Sequence, residues 1–350
     1  MKSFKIGDRL VGGQYPVYVV AEISANHGQS FPRAVAMIRK AKECGADAVK
    51  FQAYTPDTMT IDARNKYFRI RHPEWGGQTL YQLYQKAYTP WPWLRKLKAV
   101  ADDVGLGFFA TAFDASSVDF LETLNVPVHK IASFELVDTP LITHAARTGK
   151  PLILSTGMAE KEEIQDAVTA ARRGGARDIL LFKCVSNYPA QPQEMNLKVI
   201  PDMSKRFRAP VGLSDHTLTL AASVAAVCLG AVMIEKHFTL TRKHKTPDSF
   251  FSTEPREFKR LVDNIRITEQ ALGTATYVKT ENERKSRVFR RSLFAVADIK
   301  RGERFTADNI RSIRPAYGLP PKELRKVMGR HAVKDIRRGT PLSKELVAGS

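Results

Sequence analysis

Short apolar runs that alternate with helix-compatible stretches make up most of this chain. Eight of these runs predict buried strands, and apolar residues at helical spacing follow most of them. Eight β/α units in about 250 residues are typical of a TIM (β/α)8 barrel, an α/β fold. A doubly wound open sheet is the alternative, but the Gly-rich loop expected after its first strand is missing. The runs are 17–23, 46–51, 106–111, 126–131, 151–155, 179–184, 209–213 and 231–234.

The alternation is interrupted once, and it ends after the last predicted helix, 258–272. The interruption, 54–77, is polar and too irregular for a helix or a strand. Beyond 272 a charged stretch leads into short β-like pieces set among Gly and Pro turns, in which the pattern D-I-x-R-G-x-x-[FL]-[ST] occurs twice, at 298–306 and at 335–343. We therefore predict a barrel domain over 1–275, a linker over 276–290 and a small, mostly β domain over 291–350.

The net charge of +19 is concentrated towards the C-terminal end. Residues 284–350 hold 18 Lys and Arg against 6 Asp and Glu. A surface of this kind binds nucleic acid or an anionic membrane, attracts a small anionic substrate, or is simply solvated. The charge alone does not choose among these functions.

Three scattered cysteines without CxxC spacing argue against a disulfide framework or a structural zinc site. They favour a reducing compartment, and we expect a cytoplasmic protein. The first residues lack the apolar segment of a secretory signal. The longest uncharged apolar stretch, 220–234, is too short to span a bilayer.

Polar side chains occupy the C-terminal ends of the predicted strands. In a TIM barrel these ends meet at one rim, which is where the active sites of such enzymes lie. Lys50 and Lys130 each close an apolar strand, and a buried lysine is costly without a partner. With neighbouring hydroxyls they are expected to hold a phosphate or a carboxylate. The strand ends also carry Glu22, Asn26, His27, Gln52, Thr111, Asp114, Ser133, Ser155, Thr156, Gly157, Cys184, Ser186, Tyr188, Ser214, Asp215, Glu235 and Lys236.

Two histidines at successive strand ends indicate a metal site. His216 follows the strand predicted at 209–213, and His237 follows the one at 231–234. Two neutral imidazoles supply half of a coordination shell for a divalent metal and leave positions for substrate and water. With carboxylates for proton transfer, they predict metal-assisted chemistry. The alternative is that each histidine only hydrogen-bonds a loop.

Several short segments together resemble the sialic acid synthase family, and the resemblance covers nearly the whole chain. They are AEISANHGQS (21–30), KFQ (50–52), KIASFE (130–135), STGM (155–158), YPA (188–190), GLSDHT (212–217), EKHF (235–238), PDSFFS (247–252) and RSLF…RSIRP (291–315). The resemblance implies a TIM barrel joined to a C-terminal antifreeze-like (SAF, β-clip) domain. It also implies an enzyme that condenses phosphoenolpyruvate with an amino-sugar aldehyde, using Mn²⁺ or Mg²⁺. Members of this family are homodimers in which the small domain of one subunit covers the barrel mouth of the other.

The resemblance also implies a role for individual residues. It makes His216 and His237 the metal ligands, and it places Glu22 and Glu235 near the reacting atoms as catalytic residues. It makes Arg314, in the small domain, a contact to the sugar of the other subunit. The residues implied for phosphoenolpyruvate are Lys50, Thr111, Lys130, Ser133, Ser155, Ser186 and Ser214. Tyr188 and Asp248 are implied for the sugar or for proton transfer, as Glu22 is, and Gln52 is expected to bind substrate.

Within this family the segment 67–93 looks most like the members that make pseudaminic acid from 2,4-diacetamido-2,4,6-trideoxy-L-altrose. Synthesis of sialic or legionaminic acid, from N-acetylmannosamine or the trideoxy-mannose analogue, is the alternative. A third hypothesis is a non-catalytic basic protein that binds nucleic acid or anionic lipid. The polar ring of strand ends argues against the third hypothesis, so neither nucleic acid nor a membrane is an expected partner.

Two positions depart from the pattern of this family. Arg242–Thr246 stands where most members have glycines before the PDS segment. Ala316 stands where most members have the Gly of an RPG sequence. Because glycine often marks a positive φ, we expect both loops to be altered here.

Overall fold

A computed structural model describes residues 3–349 of the chain. These residues form two compact units that divide between Gly273 and Thr274. The first unit contains a closed barrel and the second a small β-rich fold. None of the helices described between residues 3 and 349 has the length and apolar composition of a membrane span.

An antiparallel hairpin that the sequence analysis did not predict precedes the barrel. It consists of β1 (Phe4–Ile6) and β2 (Arg9–Val11). Phe4, Ile6 and Val11 are buried in one cluster with the apolar residues inside the barrel. The hairpin therefore plugs the barrel at the N-terminal end of its strands.

Within the described residues, eight parallel strands close into a barrel in which each strand pairs with its neighbours in the chain and the last pairs with the first. The predicted TIM barrel is confirmed, and the doubly wound alternative is wrong. The strands are β3 (Tyr18–Glu22), β4 (Ala48–Ala53), β5 (Gly107–Ala112), β6 (His129–Ile131), β7 (Leu152–Ser155), β8 (Ile179–Cys184), β9 (Val211–Asp215) and β10 (Met233–His237).

Helices cover the outside of the barrel and bury their apolar faces against the strands. They are α1 (Phe31–Glu43), α4 (Trp91–Asp103), α5 (Ala115–Thr123), α6 (Thr139–Ala146), α7 (Lys161–Arg173), α8 (Val199–Phe207), α9 (Ala221–Cys228) and α10 (Pro255–Leu272). Two shorter helices, α2 (Pro56–Met59) and α3 (Leu80–Ala87), lie outside this layer. The insertion that was expected to be irregular thus contains the short helix α2. A capping box begins it, because Thr55 and Thr58 each accept the other's backbone amide hydrogen bond.

Strand residues alternate between the inside of the barrel and the helix layer. In β4, Val49 and Phe51 pack in the cluster that includes the helices, whereas Ala48 belongs to the cluster inside the barrel. Continuing this alternation places Lys50 and Gln52 inside. Apolar inward residues fill the plugged end, so the polar inward residues lie at the open, C-terminal end.

The second unit contains the antiparallel pair β11 (Ser292–Ala295) and β12 (Ile310–Ile313) and the short helix α12 (Leu324–Val327). It also contains α11 (Glu281–Ser286), a helix within the stretch predicted to be a linker. The capping box of Thr280, whose pattern T-x-x-E is visible in the sequence, explains why a helix starts there.

The repeated motif of the small unit forms a local pseudo-two-fold arrangement. The isoleucines at the second position of the two copies exchange both backbone hydrogen bonds. Asp298 accepts a hydrogen bond from the amide of Arg338 at 2.7 Å, and Asp335 accepts one from the amide of Arg301 at 2.8 Å. The internal repeat predicted from the sequence therefore has a structural counterpart.

Candidate active site

The inward polar residues of the strands meet at the open end of the barrel. Glu22 is paired in register with Lys50, Thr111 with Lys130, and Ser214 with Glu235, so the ring lies at a similar height around the barrel. Burial of so many polar groups is costly unless they are paired or used, and it is typical of an active site. The buried members are Glu22, Lys50, Thr111, Lys130, Ser155, Ser214, His216, Glu235 and His237.

Lys50 lies at the centre of a buried ionic cluster. Its Nζ is 2.8 Å from Glu22 Oε2 and 3.3 Å from Glu235 Oε1, and it donates a hydrogen bond to Thr111 Oγ1 at 2.8 Å. Ser214 donates to Glu235 Oε1 at 3.4 Å. Apart from the ion pair between Glu22 Oε2 and Lys50, both oxygens of Glu22 and Oε2 of Glu235 have no hydrogen-bond partner among residues 3–349. The cluster therefore keeps acceptor capacity for a ligand.

The two carboxylates of this cluster have opposite pKa shifts. Burial raises the pKa of Glu22 to about 7, although Lys50 opposes the shift. Burial also acts to raise the pKa of Glu235, but Lys50 and Lys130 outweigh it and hold that pKa below its usual range. Two carboxylates whose pKa values differ in this way fit different roles. Glu235 stays charged, and Glu22 is able to exchange a proton near neutral pH.

Lys130 occupies a different environment, rich in hydroxyl groups. Its Nζ donates to Ser155 Oγ at 2.6 Å, and burial lowers its pKa to about 8. Ser133 Oγ accepts a hydrogen bond from the amide of Gly157 at 3.1 Å. A Cβ on Gly157 would overlap Ser186 Oγ and lie 2.8 Å from Ser133 Oγ, so only glycine lets both serines approach. One ammonium and three hydroxyls together match an anionic oxygen cluster.

The two histidines face each other, with ring centroids 5.4 Å apart. Nδ1 of His216 donates to the carbonyl of Val185 at 2.8 Å, which leaves its Nε2 as the acceptor or ligand atom. Burial lowers the pKa of His237 well below its usual range, so this ring is neutral, and its Nδ1 has no hydrogen-bond partner among the described residues. Neutral imidazoles with free lone pairs fit a divalent metal.

In the part of the chain that the structure describes, His216 and His237 are the two side chains placed to bind such a metal. Among residues 3–349 no cluster of three or more His, Cys, Asp and Glu side chains is arranged to hold a metal. Substrate and water would therefore complete the shell. Burial acts to lower the pKa of His216, but contacts with Cys184 and with the Val185 carbonyl raise it overall, so an ion bound there displaces a proton.

A cavity of about 370 Å³ opens beside His237. Its polar lining includes Gln52, Tyr188 and Asp248, three residues predicted to bind substrate. The ring of Tyr188 packs 4.4 Å from that of His216, which connects the cavity to the metal ligands. Asp248 accepts hydrogen bonds from the Ser24 hydroxyl and the Ala25 amide, and its pKa is raised by burial.

The sequence analysis did not select Glu135, which also lines this cavity. Its Oε2 is buried without a hydrogen-bond partner among residues 3–349, and burial raises its pKa to about 7. Glu135 is the last residue of the KIASFE segment, and it lies four positions beyond the end of β6. A search limited to the residues at strand ends therefore does not find it. Its place in that segment was the signal that could have identified it.

Comparison with known proteins assigns both units. The profile of the NeuB family matches residues 37–277, more than half of the chain. The chain belongs to the NeuB family. The profile of the SAF domain matches residues 290–348. The similarity to sialic acid synthases and the presence of a C-terminal SAF domain, both predicted from the sequence, are confirmed.

Relatives of this NeuB-family chain match it over almost its whole length. Pseudaminic acid synthase from Helicobacter pylori is 43% identical over 331 residues, which cover 94% of this chain and 97% of the relative. Pseudaminic acid synthase from Campylobacter jejuni is 40% identical over 94% of this chain and 96% of the relative. The crystal structure of N-acetylneuraminic acid synthetase from Leptospira borgpetersenii superposes with a TM-score of 0.73 at 30% identity, over 81% of this chain and 95% of that one.

The loop without glycines is well anchored in this NeuB-family barrel. Arg242 makes two hydrogen bonds of 2.7 Å to the carboxylate of Glu257 on α10, and its amide donates to Glu254 at 2.8 Å. At the other end Thr246 Oγ1 donates to Asn26 Oδ1 at 2.7 Å. None of the residues from Arg242 to Thr246 has a positive φ, so side chains are tolerated throughout the loop.

Ala316 likewise has no positive φ, and its amide donates to the carbonyl of Val288 at 2.9 Å. Alanine therefore fits here without backbone strain. Arg314, two positions earlier, is exposed at the end of β12 in the second unit.

Three polar residues at the strand ends have structural roles outside the ring. Asp215 and Lys236 form a buried ion pair of 2.9 Å, because alternation points both side chains away from the barrel interior. Asp114 caps α5 by accepting a hydrogen bond from the amide of Ser117 at 3.0 Å. Strand-end position alone does not distinguish these residues from their inward-facing neighbours.

His27 also lies outside the ring, packed in a fully buried site. It hydrogen-bonds Thr89 Oγ1 through Nε2 at 3.0 Å, and its Nδ1 accepts from the amide of Gln29 at 3.2 Å. Its ring packs edge-on against Trp93. This supports the interpretation of His27 as a residue that orients a loop.

We expect His27 to make folding sensitive to mild acid. Burial, with a smaller contribution from Arg33, lowers its pKa to about 4, whereas an exposed histidine titrates near 6.5. The unfolded chain therefore takes up the proton first, and stability falls from pH 6.5 down to about pH 4. At about 1.4 kcal/mol per pH unit, the loss by pH 5 is about 2 kcal/mol. Urea unfolding at pH 7.5 and at pH 5 measures this loss in the free energy of unfolding.

The variant His27→Gln isolates this contribution from that of other titrating groups. It is expected to be less stable than the wild type at pH 7.5 and to lose less stability on going to pH 5. An equal loss in both proteins would show that His27 is not the group responsible.

Proposed function

We propose that this protein is a pseudaminic acid synthase. It condenses phosphoenolpyruvate with 2,4-diacetamido-2,4,6-trideoxy-L-altrose and releases pseudaminic acid and phosphate, as a transferase that forms a carbon–carbon bond. The buried ring of two lysines, two carboxylates and two histidines at the open end of the barrel carries the proposal. The names of the Helicobacter and Campylobacter relatives support the choice of sugar.

Phosphoenolpyruvate is proposed to bind at the hydroxyl-rich side of the ring. Among residues 3–349 no carboxylate forms an ion pair with Lys130, and its Nζ donates to Ser155, so its charge is available to an anion. Lys50 shares its charge with Glu22 and Glu235 and is proposed to contact the carboxylate end of the substrate. The residues proposed to complete this site are Thr111, Ser133, Ser186 and Ser214.

His216 and His237 are proposed to hold a divalent metal, Mn²⁺ or Mg²⁺. Their facing rings, the neutral state of His237 and the free Nε2 of His216 support this assignment. When bound, the metal supplies Lewis-acid polarisation of the aldehyde oxygen. The protein side chains contribute the binding, charge and proton transfer described next.

The proposed reaction joins the methylene carbon of phosphoenolpyruvate to the aldehyde carbon of the sugar. The electron pair of the C=C bond forms the new bond, and positive charge develops at the carbon that bears the phosphate. Glu235, held ionised by Lys50 and Lys130, stabilises that charge. The C=O electron pair of the aldehyde moves to its oxygen, which takes a proton and becomes a hydroxyl group. Water adds to the positively charged carbon and loses a proton to Glu22, which balances the proton taken by that oxygen. The C–O bond to phosphate then breaks, the new hydroxyl on the same carbon gives its proton to the departing phosphate, and a ketone remains.

The sugar is proposed to bind in the cavity beside His237. Gln52, Tyr188 and Asp248 line it and supply hydrogen-bonding groups, and Glu135 adds a carboxyl without a partner in the described residues. Arg314 is proposed to contact the sugar of the other subunit in a homodimer. We also propose that the protein acts in the cytoplasm, as the dispersed cysteines suggest.

Phosphate release with phosphoenolpyruvate, Mn²⁺ and each of three sugars tests the function. The sugars are the trideoxy-altrose, its trideoxy-mannose analogue and N-acetylmannosamine. Turnover is expected with the first. Turnover with one of the others alone would keep the chemistry but make the protein a legionaminic or sialic acid synthase. Absence of turnover with all three, in metal-loaded protein, would contradict the proposal.

A further inference from the structure

The cavity beside His237 has an apolar side that the proposed chemistry does not use. Met59 at the end of α2, Ile70 in the insertion, and Leu80 and Leu83 on α3 form this side, here called the apolar wall. All four side chains are partly exposed, although they are aliphatic or thioether groups that a folded protein usually buries. Their remaining exposed surface lines the cavity.

The apolar wall is held in place by backbone hydrogen bonds. The amide of Ile70 donates to the carbonyl of Gln78 at 3.1 Å, and the amide of Leu80 donates to the carbonyl of Phe68 at 2.9 Å. These bonds pair the two arms of the insertion in an antiparallel arrangement, with a bridge between their central residues. Ile70 and Leu80 therefore keep fixed positions.

A second contact ties the insertion to the barrel. The indole Nε1 of Trp75 donates to the carbonyl of Pro247 at 2.7 Å, next to the cavity residue Asp248. His72 stacks on the indole with ring centroids 4.4 Å apart. The insertion is therefore part of a preformed cavity, which is the condition for selecting a ligand by shape.

We infer that the apolar wall selects the sugar through a terminal methyl group, and this inference rests on the proposed function. The aldehyde carbon must lie at the ring beside His237, so the far end of the open-chain sugar extends towards the insertion. A methyl group there contacts only apolar atoms. A hydroxymethyl group would lose hydrogen bonds to water that Met59, Ile70 and Leu80 cannot replace.

An apolar pocket rejects an otherwise similar ligand with an added hydroxyl by about 10²-fold. The wild type is therefore expected to favour the trideoxy-altrose over its 6-hydroxy counterpart by about 10²-fold in kcat/KM. Ile70→Thr, which places a hydroxyl in the apolar wall, is expected to reduce that preference by about tenfold. Leu80→Gln is a second variant in a different element, with the same expectation.

Ile61→Thr is the matched control. Ile61 belongs to the same insertion, is 62% exposed and does not line the cavity. The control is expected to keep the wild-type preference. Circular dichroism and phosphate release with the trideoxy-altrose show that each variant is folded.

The outcomes separate the inference from the proposed function. A wild type that uses both sugars equally well, or a preference unchanged in both Ile70→Thr and Leu80→Gln, would overturn the inference and leave the synthase activity intact. A wild type that releases no phosphate with any sugar would overturn both. A preference that falls in the two wall variants and not in Ile61→Thr supports the apolar wall.

Discussion

His237→Ala is expected to lower the rate of phosphate release by about 10³-fold or more while the protein stays folded. The reason is that the substitution removes one of the two proposed metal ligands, and the charge stabilisation by a catalytic metal is worth several kcal/mol. Mn²⁺ binding, followed by electron paramagnetic resonance of free Mn²⁺, is expected to weaken in parallel. The fold is expected to survive because no hydrogen bond from the His237 ring to another described residue is lost.

His144→Ala is the matched control for this experiment. His144 lies on α6, is half-exposed, and pairs with Asp119 on the outside of the barrel at 2.7 Å. Its loss is expected to leave turnover and Mn²⁺ binding unchanged. Wild-type Mn²⁺ affinity in His237→Ala would refute the assignment of His237 as a ligand, whatever the effect on turnover.

Lys50→Met is expected to destabilise the fold by about 3–5 kcal/mol and to abolish turnover. Removing one partner from a buried ion pair leaves the other charge without compensation. Here two carboxylates, Glu22 and Glu235, both lose their closest cation. Urea unfolding measures the stability, and phosphate release measures the turnover. Lys183→Met, which removes a half-buried lysine bonded only to the carbonyl of Cys184, is expected to cost much less.

Adding Glu22→Gln to Lys50→Met tests the cause of the instability. The second substitution removes one of the two buried carboxyl groups that have lost their cation, so the double variant is expected to regain at least about 1 kcal/mol over Lys50→Met. Turnover is expected to stay absent, since neither the lysine nor the carboxylate is restored. A double variant less stable than Lys50→Met would contradict the ionic explanation.

Much of the barrel was predictable because its signals are local. Each buried strand is a short apolar run, and each helix shows apolar residues at helical spacing, so order and approximate bounds follow from the sequence. The N-terminal hairpin was missed because its strands, Phe4–Ile6 and Arg9–Val11, are three residues long and too short to show a period. Its burial depends on contacts with barrel strands distant in the sequence.

The rim of the site was predictable, but its internal pairing was not. Alternation along β4 and β10 identifies Lys50 and Glu235 as inward residues, and the same rule, applied strictly, would have excluded Asp215 and Lys236. No local pattern indicates that Lys50 pairs with Glu22 while Lys130 faces hydroxyls. That difference depends on the closure of the barrel, which brings together residues from its first and last strands.

The insertion was the least predictable part, because its structure also depends on contacts between residues that are far apart in the sequence. Its composition is polar and irregular, and its order comes from long-range bonds such as that from Trp75 to Pro247. Such a contact joins two loops that are 172 residues apart in the chain. Only the capping pattern at Thr79, which starts α3, is visible locally.

The N-terminal hairpin closes one end of the described barrel, so reactants must enter and leave at the C-terminal end of its strands. Lys130 and Ser155 belong to the strands within the barrel, whereas Ile70 and Leu80 lie beyond the strand ends at the entrance. Two molecules that share one entrance must arrive in the order of their depth. In the proposed reaction, a sugar at the entrance would enclose phosphoenolpyruvate that is already bound and shut out any that comes later. We therefore expect a compulsory order of binding in that reaction, with excess sugar as a dead-end inhibitor of the empty enzyme.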